Sequence, residues 1–311
     1  MQPTKPYRDF PDFLSEKFPY KVQKTTIHAG FTCPNRDGSK AYGGCTYCNN
    51  QSFSPRYEKT PKPIAEQLAE GINFYARKYP DLKYLAYFQS YTNTYSNVEL
   101  LAALYEEALA HPKVVGLIIG TRPDCMPDEL LDYLEQLNRK TFLLIEFGVE
   151  STLDKTLERI NRRHTYKESV DTIRRTAERG ISVGAHLILG LPGETREEIL
   201  HHADELSKLP LTTIKLHQLQ IIKGTAMEKE FALSPELFRL FQLDEYIDLC
   251  VDFVERLHPD FYIERFSSHS PNEWRVAPNW GIKNVEIAHK ITKQLVEKGS
   301  WQGKKVTEPW C

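Results

Sequence analysis

No stretch of this sequence stays apolar for the roughly 18 residues that a bilayer-spanning helix needs. The N-terminus, MQPTKPYRDFPDF, lacks the apolar core of a signal peptide. Both absences lead us to expect a cytoplasmic protein with no membrane partner. A surplus of either charge is missing too: 40 Lys and Arg stand against 42 Asp and Glu, a net of -2. A broad basic face for DNA is therefore not expected, while a local patch for RNA stays open. Glycine (16) and proline (19) are too few in 311 residues for a collagen-like or low-complexity chain. Hydrophobic residues at 41% and charged residues at 26% are ordinary for a globular domain, which excludes wholesale disorder. Cysteine is scarce, and six in a reducing compartment do not suggest a disulfide framework.

What is present is a rhythm of apolar strand-like runs and amphipathic helical stretches. Strands are expected at 22–29, 82–89, 114–120, 141–148, 181–189, 212–220 and, more weakly, 260–266. Helices are expected at 62–78, 97–111, 127–138, 165–179, 195–208, 236–256 and 284–298. Capping boxes open three of them, at Ser96–Glu99, Thr165–Glu168 and Thr195–Glu198, and Gly180 stands where a helix would close. Such alternation argues for parallel strands joined by right-handed crossovers in one α/β barrel-like domain. We divide the chain into an N-terminal extension (1–21), a barrel core (22–256) and a C-terminal extension (257–311) that closes the barrel mouth.

Strand alternation assigns faces. An outer helix layer wants the apolar positions, so Lys24, His28, Glu146, Glu150, His186, Lys215 and His217 should line or rim the interior. They crowd toward the C-terminal strand ends, where α/β barrels keep their active sites. So polar an interior suits a ligand better than a packed core. Lys215 and His217 are the candidate catalytic residues on this reading.

Cys33, Cys45 and Cys48 fall just beyond the first strand, whereas Cys125, Cys250 and Cys311 are scattered and read as packing residues. The loop 34–44 between the first two is rich in turn formers and can bring three sulfurs together. The pattern fits an iron–sulfur cluster with one open iron, a zinc site with His28 as fourth ligand, or a redox dithiol.

Tyr47 precedes the last cysteine. Further along come YFQSYTNTY at 87–95, EFGVES at 146–151, INRRH at 160–164, HLILGLPGE at 186–194 and RVAPNW at 275–280. In this order the stretches resemble the radical SAM superfamily, in particular its YhcC/YtqA-type branch, which is related to the elongator catalytic subunit and oxygen-independent coproporphyrinogen oxidase. The gap of eleven residues between Cys33 and Cys45 (34–44) is longer than the superfamily's usual one. The resemblance implies a partial (β/α)6-type TIM barrel. It implies that Cys33, Cys45 and Cys48 hold three irons of a [4Fe–4S] cluster, the fourth iron binding S-adenosylmethionine (SAM). Gln89, Ser90, Tyr91 and Thr92 would meet the methionyl amino group, Arg162 its carboxylate and Glu150 the ribose. Gly190, Leu191 and Pro192 would approach the adenine, and His186 stands where some relatives carry Asp.

The activity so implied is reductive cleavage of SAM to a 5′-deoxyadenosyl radical. An electron donor such as flavodoxin or ferredoxin and a monomer or homodimer go with it. The substrate implied is tRNA, at the side chain of a wobble uridine, with the basic run at 162–167 and Arg174, Arg175, Lys304 and Lys305 available for phosphate. Two alternatives stay open: a small-molecule substrate, and a non-catalytic zinc-binding interaction module.

Overall fold

The apolar runs pair in the order in which they occur. In this computed structural model, which describes residues 5–52, 62–76, 78–268 and 270–306, the strands are β1 (Val22–Ile27), β2 (Lys83–Phe88), β3 (Val114–Thr121), β4 (Phe142–Glu150), β5 (Ser182–Leu189), β6 (Thr213–Gln218), β7 (Ile221–Ile222), β8 (Tyr262–Arg265) and β9 (Arg275–Ala277). The helices are α1 (Phe10–Lys17), α2 (Ile64–Ala76), α3 (Val98–Leu109), α4 (Asp128–Asn138), α5 (Asp154–Arg159), α6 (Tyr166–Glu178), α7 (Arg196–Ser207), α8 (Ala226–Leu233), α9 (Leu243–Val254) and α10 (Asn284–Glu297). Seven strands form one parallel sheet in the order β1-β2-β3-β4-β5-β6-β8. It curves into a half-barrel, the partial barrel expected. Among the described residues no helix is long and apolar enough to cross a membrane.

The outer strand face buries Ile145, Phe147, Val183, Leu187, Ile214 and Leu216 against the helices. The inner face is layered. At its N-terminal end Leu85, Ile118 and Leu144 pack with Phe10 and Phe13 of α1, which plugs the barrel floor. Charged side chains occupy the middle, and the C-terminal end opens into a cavity.

Several boundaries shift for local reasons. Asn97 rather than Ser96 caps α3, its side chain accepting from the Leu100 N–H at 2.8 Å. The boxes at Thr165 and Thr195 form as expected. Gly180 follows α6 at φ +73°, a left-handed conformation that costs glycine little. The helix expected from 236 begins only at Leu243, because Pro235–Leu237 is a separate 3-10 turn. Helices α1, α5 and α8, at most eight residues each, and the short pair β7/β9 were not expected from the sequence. His269 and Cys311 lie outside the described residues.

The free edge of β8 is covered. Asp9 bridges Ile263, and the Ile263 N–H donates to the Arg8 carbonyl at 2.9 Å. Gln302 locks this arrangement. It accepts from the Arg8 N–H at 3.1 Å and donates to the carbonyls of His258 (2.6 Å) and Phe261 (2.8 Å). Gln302→Ala leaves these buried groups unpaired and should lower stability by about 2 kcal/mol in urea denaturation.

Candidate active site

The cysteine loop is held by hydrogen bonds to the segment after α5. The Asn35 amide donates to the carbonyls of Asn161 (2.6 Å) and Arg162 (3.2 Å) and to Cys45 Sγ (3.5 Å). In return the Asn161 amide donates to the Gly44 carbonyl at 2.9 Å. The Thr46 N–H donates to the Ile160 carbonyl at 3.0 Å, and Arg36 Nη2 to the Cys48 carbonyl at 2.8 Å. Cys33, Cys45 and Cys48 thereby line one cavity of ≈ 260 Å³ at the C-terminal strand ends.

Arg162 is the joint between this loop and the barrel. Its guanidinium donates to the Gly148 carbonyl (2.6 Å) and Cys45 Sγ (3.5 Å) and lies 3.6 Å from Glu150. Glu150, at φ +70°, ends β4 where the register with β5 shifts. Gly148 makes the room: a Cβ there would stand 2.6 Å from both Arg162 Nη2 and Glu150 Oε1. Behind Arg162, Arg122 Nη2 donates to its carbonyl at 2.8 Å, while Arg122 Nε and Nη2 grip Asp124 at 2.9 Å. Burial works against the Asp124 carboxylate, but Arg122 and Lys40 outweigh it and bring its pKa down to about 2.

Deeper in, Glu146 accepts from Lys215 (2.5 Å), Lys24 (3.2 Å) and His186 (3.1 Å). Glu264 accepts from Lys24 (2.5 Å) and Lys215 (2.9 Å). Desolvation opposes the Glu146 charge, yet the two lysines hold its pKa well below the usual carboxylate range. Burial pushes Lys215 down to about 8 against the pull of these carboxylates. Burial, then Lys215, lowers the His186 pKa, so His186 meets Glu146 as a neutral N–H donor. His217 is lowered further by burial and Arg265, and its Nε2 has no hydrogen-bond partner.

Of the residues singled out in the sequence, Gln89, Tyr91, Thr92, Glu150, Arg162, His186, Lys215 and His217 line this cavity with the three cysteines. Ser90 is buried outside the lining. Gly190, Leu191 and Pro192 are not brought to it. Gly190 abuts Phe241, a Cβ there lying 2.8 Å from the ring, and Leu191 packs with Leu157, Ile188 and Leu219. Ile188 and Leu219 supply the apolar wall instead. His28, the fourth ligand considered for a zinc site, is also absent from the lining, and its Nδ1 accepts from the Gly30 N–H at 3.0 Å. Cys125 and Cys250 are buried, each thiol pushed up to about 12, mainly by burial.

The basic positions divide: Arg163, Arg174 and Lys304 are exposed. Arg162 and His164 are buried, Lys167 pairs with Asp171, Arg175 with Asp128 and Lys305 with Glu255. Trp280 anchors the core, donating to the Phe241 carbonyl at 3.0 Å and packing on Tyr246. The C-terminal segment reaches the cavity through Ser268 and Ser270, which hydrogen-bond with Gln218 and Gln220. Sequence reasoning missed Arg122, Gly148 and Arg265. A charged residue just past a strand end was the available signal for Arg122.

The donor set fits an iron–sulfur cluster. Among the described residues no three His, Cys, Asp or Glu side chains converge as a single metal ion would need. The cysteines instead face a shared space, and a cluster needs only that each thiolate reach its own iron. Burial and Cys45 push the Cys48 thiol up to about 11, so a bound cation must stabilise its thiolate. Asn35, Arg162 and Asn50 donate to the sulfurs, as ligating thiolates ask.

A parallel half-barrel with three cysteines at its open end is the architecture of radical SAM proteins. The model of the Radical SAM superfamily matches residues 33–206 and that of the Radical_SAM C-terminal domain residues 211–297. The chain belongs to the radical SAM superfamily, whose enzymes use a [4Fe–4S] cluster and SAM. It is 37% identical to YtqA of Bacillus subtilis over 94% of this chain and 90% of that protein. It is 36% identical to YhcC of Escherichia coli over 100% and 98%. Its fold superposes on an archaeal Methanocaldococcus infernus Elp3 lacking its N-terminus, with a TM-score of 0.71 at 16% identity, covering 90% of this chain and 64% of that one. The chain thus spans just under two thirds of the Elp3 structure.

The Asp124 pair has a pH signature. Its folded pKa of about 2 lies below the ordinary 3.8, so the ionised form stabilises the fold above that value. The contribution is lost as pH falls through about 2. Stability measured by urea denaturation should fall less steeply with acid across this window in Asp124→Asn than in wild type.

Proposed function

We propose that this enzyme reductively cleaves SAM and applies the resulting radical to a substrate admitted to the same cavity. The observation that carries the reading is the convergence of Cys33, Cys45 and Cys48 with Arg162 and Glu150 on one cavity wall. When bound, the [4Fe–4S] cluster supplies the electron that breaks a sulfonium S–C bond, leaving methionine and a 5′-deoxyadenosyl radical. The three cysteines would hold it, with flavodoxin or ferredoxin as electron source.

The chain's own residues do the positioning. Arg162 Nε is buried without a partner and is available to the methionyl carboxylate. Glu150 can accept from a ribose hydroxyl, and Gln89, Tyr91 and Thr92 border the methionyl amino group. Tyr91 is held at φ +66°, its N–H directed at Asn50 Oδ1 (3.4 Å). The aromatic plug of α1 closes the floor against water. Lys215, clasped by two carboxylates, keeps its proton and orients rather than shuttles, while His217 is free to meet substrate.

The substrate reading follows the motifs' likeness to the elongator catalytic subunit: a tRNA wobble-uridine side chain. The ion pairing of Lys167, Arg175 and Lys305 favours a second reading, a small-molecule metabolite. Nucleoside analysis of tRNA from a deletion strain separates them. Loss of one modified nucleoside supports tRNA, and an unchanged profile supports the metabolite.

Anaerobically reconstituted protein given dithionite and SAM should release 5′-deoxyadenosine, and the Cys33/Cys45/Cys48→Ala triple variant should release none. Failure of the loaded wild type to do so contradicts the proposal. Gly148→Ala should drive Arg162 and Glu150 apart and weaken SAM binding by about tenfold or more in equilibrium dialysis, with iron content unchanged.

A further inference from the structure

The two ends of the cavity differ in chemistry. One carries the cysteines, Arg162 and Glu150. The other is built on a single row across paired strands: His186 on β5, Lys215 on β6 and Arg265 on β8 are register partners. Gly148 on β4 continues the row without a side chain, and Arg162 and Glu150 occupy the place a side chain would take. His217 lies two residues further along β6, its ring 5.6 Å from that of His186. All four side chains line the cavity.

The charges at this end do not cancel. Lys24, Lys215 and Arg265 face Glu146 and Glu264, so one positive charge is left over. The two lysines each bind both carboxylates. The surplus therefore falls on Arg265. Its guanidinium reaches Glu264 only at 3.7 Å and makes no side-chain hydrogen bond among the described residues, and the side chain as a whole is 34% exposed. Beside it, His217 Nε2 is buried without a partner. Buried donors are nearly always paired, and a guanidinium fork matches the two oxygens of an anion. Facing the same space, two such groups specify a ligand that accepts hydrogen bonds and carries negative charge.

We propose that Arg265 and His217 form an oxyanion subsite that takes a carboxylate or phosphate of the substrate. The subsite rests on the reading that substrate and SAM share this cavity, and it makes the enzyme specific for anionic substrates. Arg265 supplies the charge. His217, in the tautomer with hydrogen on Nε2, supplies a neutral donor from the adjacent strand.

The test is equilibrium dialysis of cluster-loaded, SAM-saturated protein against radiolabelled inorganic phosphate and, separately, radiolabelled acetate. SAM saturation keeps the probes away from Arg162, and no reductant is added. Wild type should bind at least one anion saturably. Arg265→Gln should weaken that binding by about tenfold or more, the loss of a charge-assisted pair. Arg265→Lys should recover part of it, and His217→Phe should weaken it several-fold. The exposed Lys167→Gln should match wild type. Retained SAM binding shows that each variant is folded, and if Arg265→Gln loses it, His217→Phe decides. Preference for phosphate identifies a phosphorylated substrate, and preference for acetate a carboxylate. Absence of saturable binding in wild type, or wild-type binding in Arg265→Gln, overturns the proposal. Because SAM is not cleaved in this experiment, its outcome is independent of whether 5′-deoxyadenosine is formed.

Discussion

A guanidinium cannot be buried without partners, and at Arg162 this requirement organises the open end of the barrel. Its side chain bonds the Gly148 carbonyl on β4 and Cys45 on the loop, with Glu150 close by. Its carbonyl receives Arg122 from beyond β3 and Asn35 from the loop. One residue thus ties the cysteine loop to two strands. The long gap between Cys33 and Cys45 is tolerated because Asn35, Gly44 and Thr46 are each pinned to Asn161, Arg162 or Ile160.

Below that joint the barrel solves a second problem, how to carry charge in its interior. Apolar residues and the α1 plug seal the floor. Above them Glu146 and Glu264 are matched to Lys24 and Lys215, with His186 completing the coordination of Glu146. A pair of this kind adds little net stability against an apolar core, but removing one partner strands the rest. The arrangement therefore favours a defined polar wall over a merely stable one.

Much of this was legible in the sequence because it rests on local signals. Strand–helix alternation pointed to parallel strands in a barrel-like domain, period-two faces put Glu146, His186 and Lys215 inside, and the cysteine spacing marked the loop. What stayed hidden depends on tertiary context. Arg122 and Arg265 are ordinary charges until their strand ends meet. Gly148 matters only because Arg162 and Glu150 need its missing Cβ. Gly190 and Leu191 carry a motif likeness yet pack behind the strand ends against Phe241 and Leu157. Of the basic residues, Arg162 and His164 turn inward and Arg175 pairs with Asp128 on another helix, which no local pattern predicts.

The central claim is that the loop cysteines hold a cluster with one iron open to SAM, anchored through Arg162. Electron paramagnetic resonance of the reduced, reconstituted protein, recorded with and without SAM beside an iron and sulfide count, addresses it most directly. The account predicts about four irons per chain and a reduced-cluster signal that changes when SAM is added. A signal indifferent to SAM, or a protein that takes up one zinc and no sulfide, would contradict it.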